Sequence, residues 1–194
     1  MPKKSMPTGE EPPKGYETLV STRASEDAIR IDLVAYTHLA RGEKTEIEAL
    51  RTKALSKVNF YTGLSNTPLT FENEANIIPD RHDSDKMLAR AYADKCLVGY
   101  ALIIMGWPER SYWLIQHMII DPSKRNLGIG TAIIQSIEQY ALDSEVDTSS
   151  ILAIPVQQSG REFWSRHGYT AEAFRQLIKI ADVDHEIVVY HKEL

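Results

Sequence analysis

Ile120-Asp121-Pro122-Ser123-Lys124-Arg125-Asn126-Leu127-Gly128-Ile129-Gly130-Thr131 is the stretch on which the reading of this chain turns. It follows a β-rich apolar run, SYWLIQHMII at 111–120, and leads into Ile129, Ile133, Ile137 and Tyr140 at helical spacing, so it joins a strand to a helix. A loop in that position turns consecutive backbone N–H groups and the positive end of the helix dipole towards one point, which suits a pyrophosphate. Glycine at 128 and 130 removes the Cβ atoms that would hold phosphate oxygens off the backbone. The competing reading is that two glycines only make a tight turn. Neither of the commoner nucleotide loops is present, for there is no GxGxxG and no Gly-Lys-Ser/Thr.

Upstream of this stretch, MLARAY at 87–92 and CLVGYALIIMGW at 96–107 flank Ala93, Asp94 and Lys95 and predict a hairpin, with 111–120 pairing after the Pro108 turn. Residues 62–85 read as a long loop of the kind that lines binding sites. A helix after Gly42 carries Ile47, Leu50, Ala54 and Val58, with Thr45 and Glu48 at capping-box spacing. Before it, Ser25 caps a predicted helix with Ala28, Ile31, Ala35 and Leu39 on one face, preceded by a first strand within ETLVSTRA from Glu17. Downstream come a strand at 150–156, a short helix over Arg161–His167 ending at Gly168, and a closing hairpin of FRQLIKIA (174–181) and EIVVYHKE (186–193). This is an α+β order: a mixed sheet clad by about four helices.

Length and composition agree with one domain. The chain has 194 residues, 43% hydrophobic and 25% charged, enough for one sizeable core without disulfides or a structural metal. Residues 1–15 hold four of the nine prolines and no aromatic residue, and read as a flexible tail before a domain at 16–194. The single Cys96, placed in an apolar strand, reads as a core residue, and one cysteine fits a reducing cytoplasm. The N-terminal lysines lack a following apolar run, and Tyr100–Trp107 falls far short of the ~20 residues of a membrane span, so neither secretion nor a membrane is expected. A net charge of −5 argues against nucleic acid as partner. The six histidines show no HExxH pattern or cluster, so no metal is expected.

The same stretch resembles the GNAT superfamily of N-acetyltransferases, whose RxxGxG signature is matched by Arg125, Gly128 and Gly130. Pro122 stands three residues before the arginine as in that family, and Met118 and Ile120 fill its apolar strand positions. The resemblance implies a mixed, mostly antiparallel sheet of about seven strands with about four helices, and acetyl-CoA as cosubstrate. It further implies that backbone N–H groups of Arg125, Asn126, Leu127, Gly128, Ile129, Gly130 and Thr131 hold the pyrophosphate, that Ile120 bonds the pantetheine arm, and that the Met118 N–H polarises the thioester carbonyl. Gln157 stands where many relatives carry a cofactor-contacting asparagine.

Two positions depart from the family pattern. Trp164 follows Phe163 where relatives have a tyrosine that protonates the departing thiolate; an indole N–H is no usable acid, so Trp164 reads as packing against the cofactor, and Tyr169 is the nearest substitute acid. Leu114 and Gln116 occupy the positions where some relatives place a base. His117 titrates near neutrality, but strict alternation puts it on the face opposite Gln116 and Met118 unless a bulge intervenes, and a structural histidine is the favoured reading. His167, near a helix C-terminus, reads as a cap. The expected activity is direct acetyl transfer to a primary amine in a ternary complex, on a small amine or a peptide amine. An inactive acyl-CoA-binding sensor is the rival, and a homodimer is left open. Two acidic segments, one with Glu72, Glu74, Asp80, Asp83 and Asp85 and one with Asp182, Asp184 and Glu186, point to a cationic acceptor if they face the cleft.

Overall fold

A computed structural model describes residues 16–20, 29–55, 70–78, 81–144, 148–154, 158–180 and 183–194, and within these the side chains of 16–20, 158–159, 172–180 and 183–187 are left aside. The predicted tail at 1–15, Ser25, Ala28, Val58, Asp80, Gln157 and Asp182 lie outside the described residues.

Among the described residues eight strands form one sheet: β1 (Tyr16–Val20), β2 (Ile29–Ala35), β3 (Lys86–Ala93), β4 (Cys96–Met105), β5 (Tyr112–Ile120), β6 (Ser150–Ala153), β7 (Thr170–Ile180) and β8 (Val183–Glu193). Their spatial order is β1-β2-β3-β4-β5-β6-β8-β7, antiparallel throughout except for the parallel pair β5–β6. Four α-helices clad it: α1 (Arg41–Leu55), α2 (Phe71–Ala75), α3 (Ile129–Asp143) and α4 (Gln158–Arg166). Side chains of α3 and α4 pack with Ile31, Ile115 and Ile151 on one face, while α1 and α2 pack with Leu88, Leu102 and Leu152 on the other. Each fully buried aliphatic side chain in these layers stabilises the fold by about 1.5–3 kcal/mol, which is what orders the helices on the sheet.

The mixed α+β architecture expected from the sequence is present, with one strand more than the expected seven. Residues 29–35 form β2, not the helix predicted to follow Ser25. Ile29, Ile31 and Leu33 lie at a spacing of two and face the α3 layer together, and the β-branched isoleucines favour the pleated surface. Arg90 of β3 then clamps Asp32 through Nε at 3.1 Å and Nη2 at 2.8 Å, so a polar residue is buried in β2 with its charge paired. The region expected as a loop contains α2, capped by Thr70, whose Oγ1 accepts from the Asn73 N–H at 3.2 Å.

α1 starts four residues before Thr45. The Ala40 N–H bonds Glu43 Oε2 at 2.8 Å, and Glu48, expected in a capping box with Thr45, instead accepts the Phe71 N–H at the start of α2 at 2.6 Å. Cys96, expected in the core, is exposed because it is the first residue of β4, beside the two-residue turn in which Asp94 and Lys95 take positive φ. α4 closes as predicted at Gly168, whose φ of +86° lets its N–H reach the Ser165 carbonyl while the Tyr169 N–H reaches that of Trp164.

Candidate active site

Among the described residues β5 and β6 pair only from Tyr112–Ile115 to Ser150–Ala153, after which β5 runs on to Ile120 paired with β4 but not with β6. The separation begins where Gln116 is inserted: Leu102 pairs with His117 and Ile103 with Ile115, so Gln116 is an extra residue in β5. Below the bulge the Asp121 N–H bonds the Val98 carbonyl at 2.9 Å, which by antiparallel alternation makes Ile119 and His117 the residues bonded to β4. The N–H and C=O groups of Met118 and Ile120 therefore point to the open side. That open edge forms a wall of a cleft of about 890 Å³.

The far end of the cleft is the β5–α3 connection. Asp121 fixes its start, accepting from the Ser123 N–H (2.9 Å), Ser123 Oγ (2.8 Å) and Lys53 Nζ of α1 (2.6 Å). Burial works against the charged carboxylate, but these bonds prevail and hold it below the usual carboxylate range. Asn126 and Gly128 then take φ of +64° and +82°, a left-handed conformation that glycine adopts without strain. Gly128 is the N-cap of α3 and supplies no side-chain bond, so the first-turn N–H groups from Ile129 to Thr131 have no helical or capping partner among the described residues. No acidic residue stands in that turn, and Lys124, Arg125 and Arg166 line the cleft, so the field there favours an anion.

Gly130 has a reason that the sequence did not reveal. A Cβ there would lie 3.1 Å from two ring carbons of Phe163 and 3.5 Å from Met118 Cε, so this glycine lets α3 and α4 approach, in addition to opening the loop. Of the residues expected at the cofactor, Met118, Ile120, Arg125, Asn126, Gly128, Ile129, Gly130, Thr131 and Trp164 line the cleft. Leu127 belongs to the same loop but is not among the cleft-lining residues.

The candidate acid does not reach the cleft. Tyr169 is 1% exposed, packed edge-on to Trp164 at 4.8 Å, and its hydroxyl donates to Glu138 Oε1 at 3.1 Å. Burial and the Glu138 carboxylate both push its phenol up, far from any useful acid range. Tyr169 is a core residue, because the turn at Gly168 directs it under α4.

His117 lies opposite Met118, as alternation predicts, but not opposite Gln116. The bulge brings Gln116 and His117 to the same face, that of α1 and α2, while Met118 faces α3. His117 nevertheless lines the cleft beside Ala54 and Leu55. Its ring stands edge-on to Tyr100 at 5.4 Å, neither nitrogen has a hydrogen-bond partner among the described residues, and Nε2 lies 3.8 Å from Glu74 Oε2. Burial lowers its pKa, opposed by Glu74 and reinforced by Arg51, so the ring is neutral at neutral pH, with both nitrogens closed off from solvent. Glu74 is itself gripped by Arg51 (Nη2–Oε1 2.5 Å, Nε–Oε2 2.9 Å), and its backbone carbonyl accepts Gln116 Nε2 at 2.5 Å. Little in the sequence signals this buried group, because its members lie on α1, α2 and β5. Its one signal was a long segment with buried-looking Phe71 and Ala75 flanking an acid.

The first acidic segment is largely neutralised: Glu74 pairs with Arg51, Asp83 with Lys86 at 2.8 Å, and Glu72 with Lys44 at 3.4 Å. No group of His, Cys, Asp and Glu suited to a metal occurs among the described residues. No helix there is long and apolar enough to cross a membrane.

A splayed parallel strand pair, with a bulged strand feeding an uncapped helix through a glycine turn, defines a site for an extended ligand with an anionic end. The family model described as Acetyltransferase (GNAT) family matches residues 49–169, and the chain belongs to that family. Its fold is similar to that of the GNAT domain of S. lividans PAT, at 12% identity and a TM-score of 0.65, covering 92% of this chain and 97% of that one. It is also similar to a probable acetyltransferase of the GNAT family from Chromobacterium violaceum (13%, TM-score 0.61, 100% and 95% covered) and to an acyl-CoA N-acyltransferase from Pseudomonas aeruginosa (15%, TM-score 0.59, 84% and 99% covered). A comparison with curated proteins returned no match. The family makes the chain an acyltransferase of the acetyltransferase class.

Proposed function

We propose that this protein moves an acetyl group from acetyl-CoA directly to a primary amine within a ternary complex. The observation that carries the reading is the free edge of β5, whose outward-facing Met118 and Ile120 backbone groups run along the cleft to the uncapped start of α3. An extended chain that ends in a pyrophosphate fits both features, and acetyl-CoA supplies the acetyl thioester. The backbone N–H groups at Gly128–Thr131 hold the phosphates, Ile120 pairs with the amide-bearing arm, and Met118 N–H stabilises charge on the acyl oxygen as the amine nitrogen attacks. His117, neutral and buried in the cleft wall with its side chain 1% exposed, receives through a water the proton that the amine loses, with Glu74 close enough to favour the charged ring. No tyrosine lines the cleft among the described residues, so solvent protonates the thiolate. A screen for thiol release from acetyl-CoA with amines, amino sugars and peptides tests this reading, with propionyl-CoA and succinyl-CoA defining acyl choice. Silence across the whole panel, with acetyl-CoA still bound, defeats it.

One observation favours a second reading, a protein that binds acyl-CoA without turnover: Trp164 stands where the acid is expected, and Tyr169 is buried away from the cleft. The same screen separates the two. For the acceptor, burial of Glu74 against Arg51 and surface pairing of Glu72 with Lys44 and of Asp83 with Lys86 leave the second acidic segment to attract a cation. A preference for cationic amines then rests on Asp184 and Glu186, together with Asp182. Charge reversal at Asp182 and Asp184 raises the Michaelis constant for a polyamine or lysine peptide, more at low salt than at high. An unchanged constant removes the acidic turn from recognition. A cytoplasmic location and a homodimer remain parts of the same proposal, tested by fractionation and by sedimentation.

A further inference from the structure

His167 is a cleft-lining residue that the proposed chemistry leaves unused. It follows the last residue of α4, and its Nδ1 lies 2.8 Å from the Phe163 carbonyl oxygen, one of the helix-end carbonyls without a continuing turn. A carbonyl can only accept, so Nδ1 carries the hydrogen. In the neutral ring Nε2 is then a lone pair, and Thr131 Oγ1, 2.9 Å away, must donate its hydroxyl hydrogen to it. Thr131 belongs to the uncapped first turn of α3 and lines the cleft. While His167 is neutral, that hydroxyl spends its one hydrogen on the ring. Protonation reverses the bond: both ring nitrogens donate, the threonine oxygen accepts, and its hydrogen is released to the cleft.

We propose that His167 is a positioning residue which, on taking a proton, turns the Thr131 hydroxyl into a donor towards a phosphate at the start of α3. The inference rests on the acyl-CoA reading and deepens it. The charged groups that line the cleft with the ring are Glu162 and Arg166 of its own helix and Lys124 and Arg125 of the loop, while the Glu138 carboxylate of α3 receives Lys192 of β8 and Tyr169. His117 lines the same cleft from β5. An anion that binds the protonated form more tightly must bind better as pH falls, and by reciprocity it must make the ring hold its proton to higher pH.

The test is calorimetric titration of the full chain with dephospho-coenzyme A, whose pyrophosphate keeps its charge across the range used. Wild type should bind on the order of fivefold more tightly near pH 5.5 than near pH 8. His167→Gln, which retains an amide for hydrogen bonding but takes no proton, should lose this dependence, and Thr131→Val should bind more weakly and be equally flat. A flat wild-type profile, or a wild-type slope retained in either variant, overturns the proposal while leaving the acyl-CoA reading standing. Absence of binding at every pH overturns that reading, and this inference with it. If a variant fails to fold, nitrogen NMR of the wild-type ring decides: the free protein should show hydrogen on Nδ1, with a titration midpoint that rises when the ligand is added. Hydrogen on Nε2, or a midpoint that stays in place, defeats the proposal.

Discussion

At the scale of single residues, conformation and burial separate candidates that the sequence left equal. Gly128 sits at φ +82°, so Gly128→Val should cripple acetyl-CoA binding through backbone strain and a side chain at the phosphate end. Calorimetry on the folded variant checks this, and unchanged affinity removes the loop from the site. Tyr169→Phe should leave the maximal rate and the alkaline limb of the pH profile as in wild type, since the hydroxyl bonds Glu138 in the core. Its effect should be a loss of stability of about 1 kcal/mol, read by urea denaturation. For His117, burial depresses the folded-state pKa below the unfolded value of about 6.5. The unfolded chain then takes up a proton that the folded ring refuses, so stability should fall as pH drops below that value, and His117→Gln should remove this part of the slope. The same variant should lower kcat more than the affinity for acetyl-CoA. Of these residues only the glycine announced itself in the sequence. Tyr169 and His117 needed their neighbours, because a phenol or an imidazole is defined chemically by what surrounds it.

At the scale of elements, β5 governs the site and its bulge governs β5. The one-residue insertion at Gln116 shifts the alternation, so Gln116 and His117 share a face and the strand leaves β6 where the cleft opens. The run SYWLIQHMII reveals a strand but not the bulge, since a bulge depends on the register of the partner strand. Behind it, Arg51 of α1 and Glu74 of α2 form a buried pair with side chains 5% and 2% exposed. Arg51→Ala should therefore destabilise by about 3–5 kcal/mol, because it strands a buried carboxylate, whereas Arg51→Met with Glu74→Leu should recover most of that loss. Chemical denaturation of the three proteins checks the pattern. A loss below 1 kcal/mol in Arg51→Ala would show that the pair is not closed off from water.

At the scale of the whole molecule, one sheet shared by two helical layers predicts a single cooperative unfolding transition, and the cleft between β5 and β6 couples that transition to ligand. Acetyl-CoA at a hundredfold excess over its Kd should add about 2.7 kcal/mol of stability and raise the midpoint by about 5–10 °C, measured by scanning calorimetry. No shift would mean that the cleft does not take this ligand. The sequence by itself determined the strand–loop–helix unit at 111–140, the hairpins at 87–107 and 174–193, and the glycine positions. Each of these depends on periodicity or turn chemistry within a few residues. Tertiary structure alone decided that 29–35 is a strand, because isoleucines spaced to serve a helix or a strand take the form whose neighbours bury them, here β3 with its Arg90 clamp. It also decided that Tyr169 is core, that Gly130 admits Phe163, and that Arg51, Glu74, Gln116 and His117 meet. Those outcomes join residues from 23 to 66 positions apart, across which local pattern carries no information and only the packing of the folded chain selects the partner.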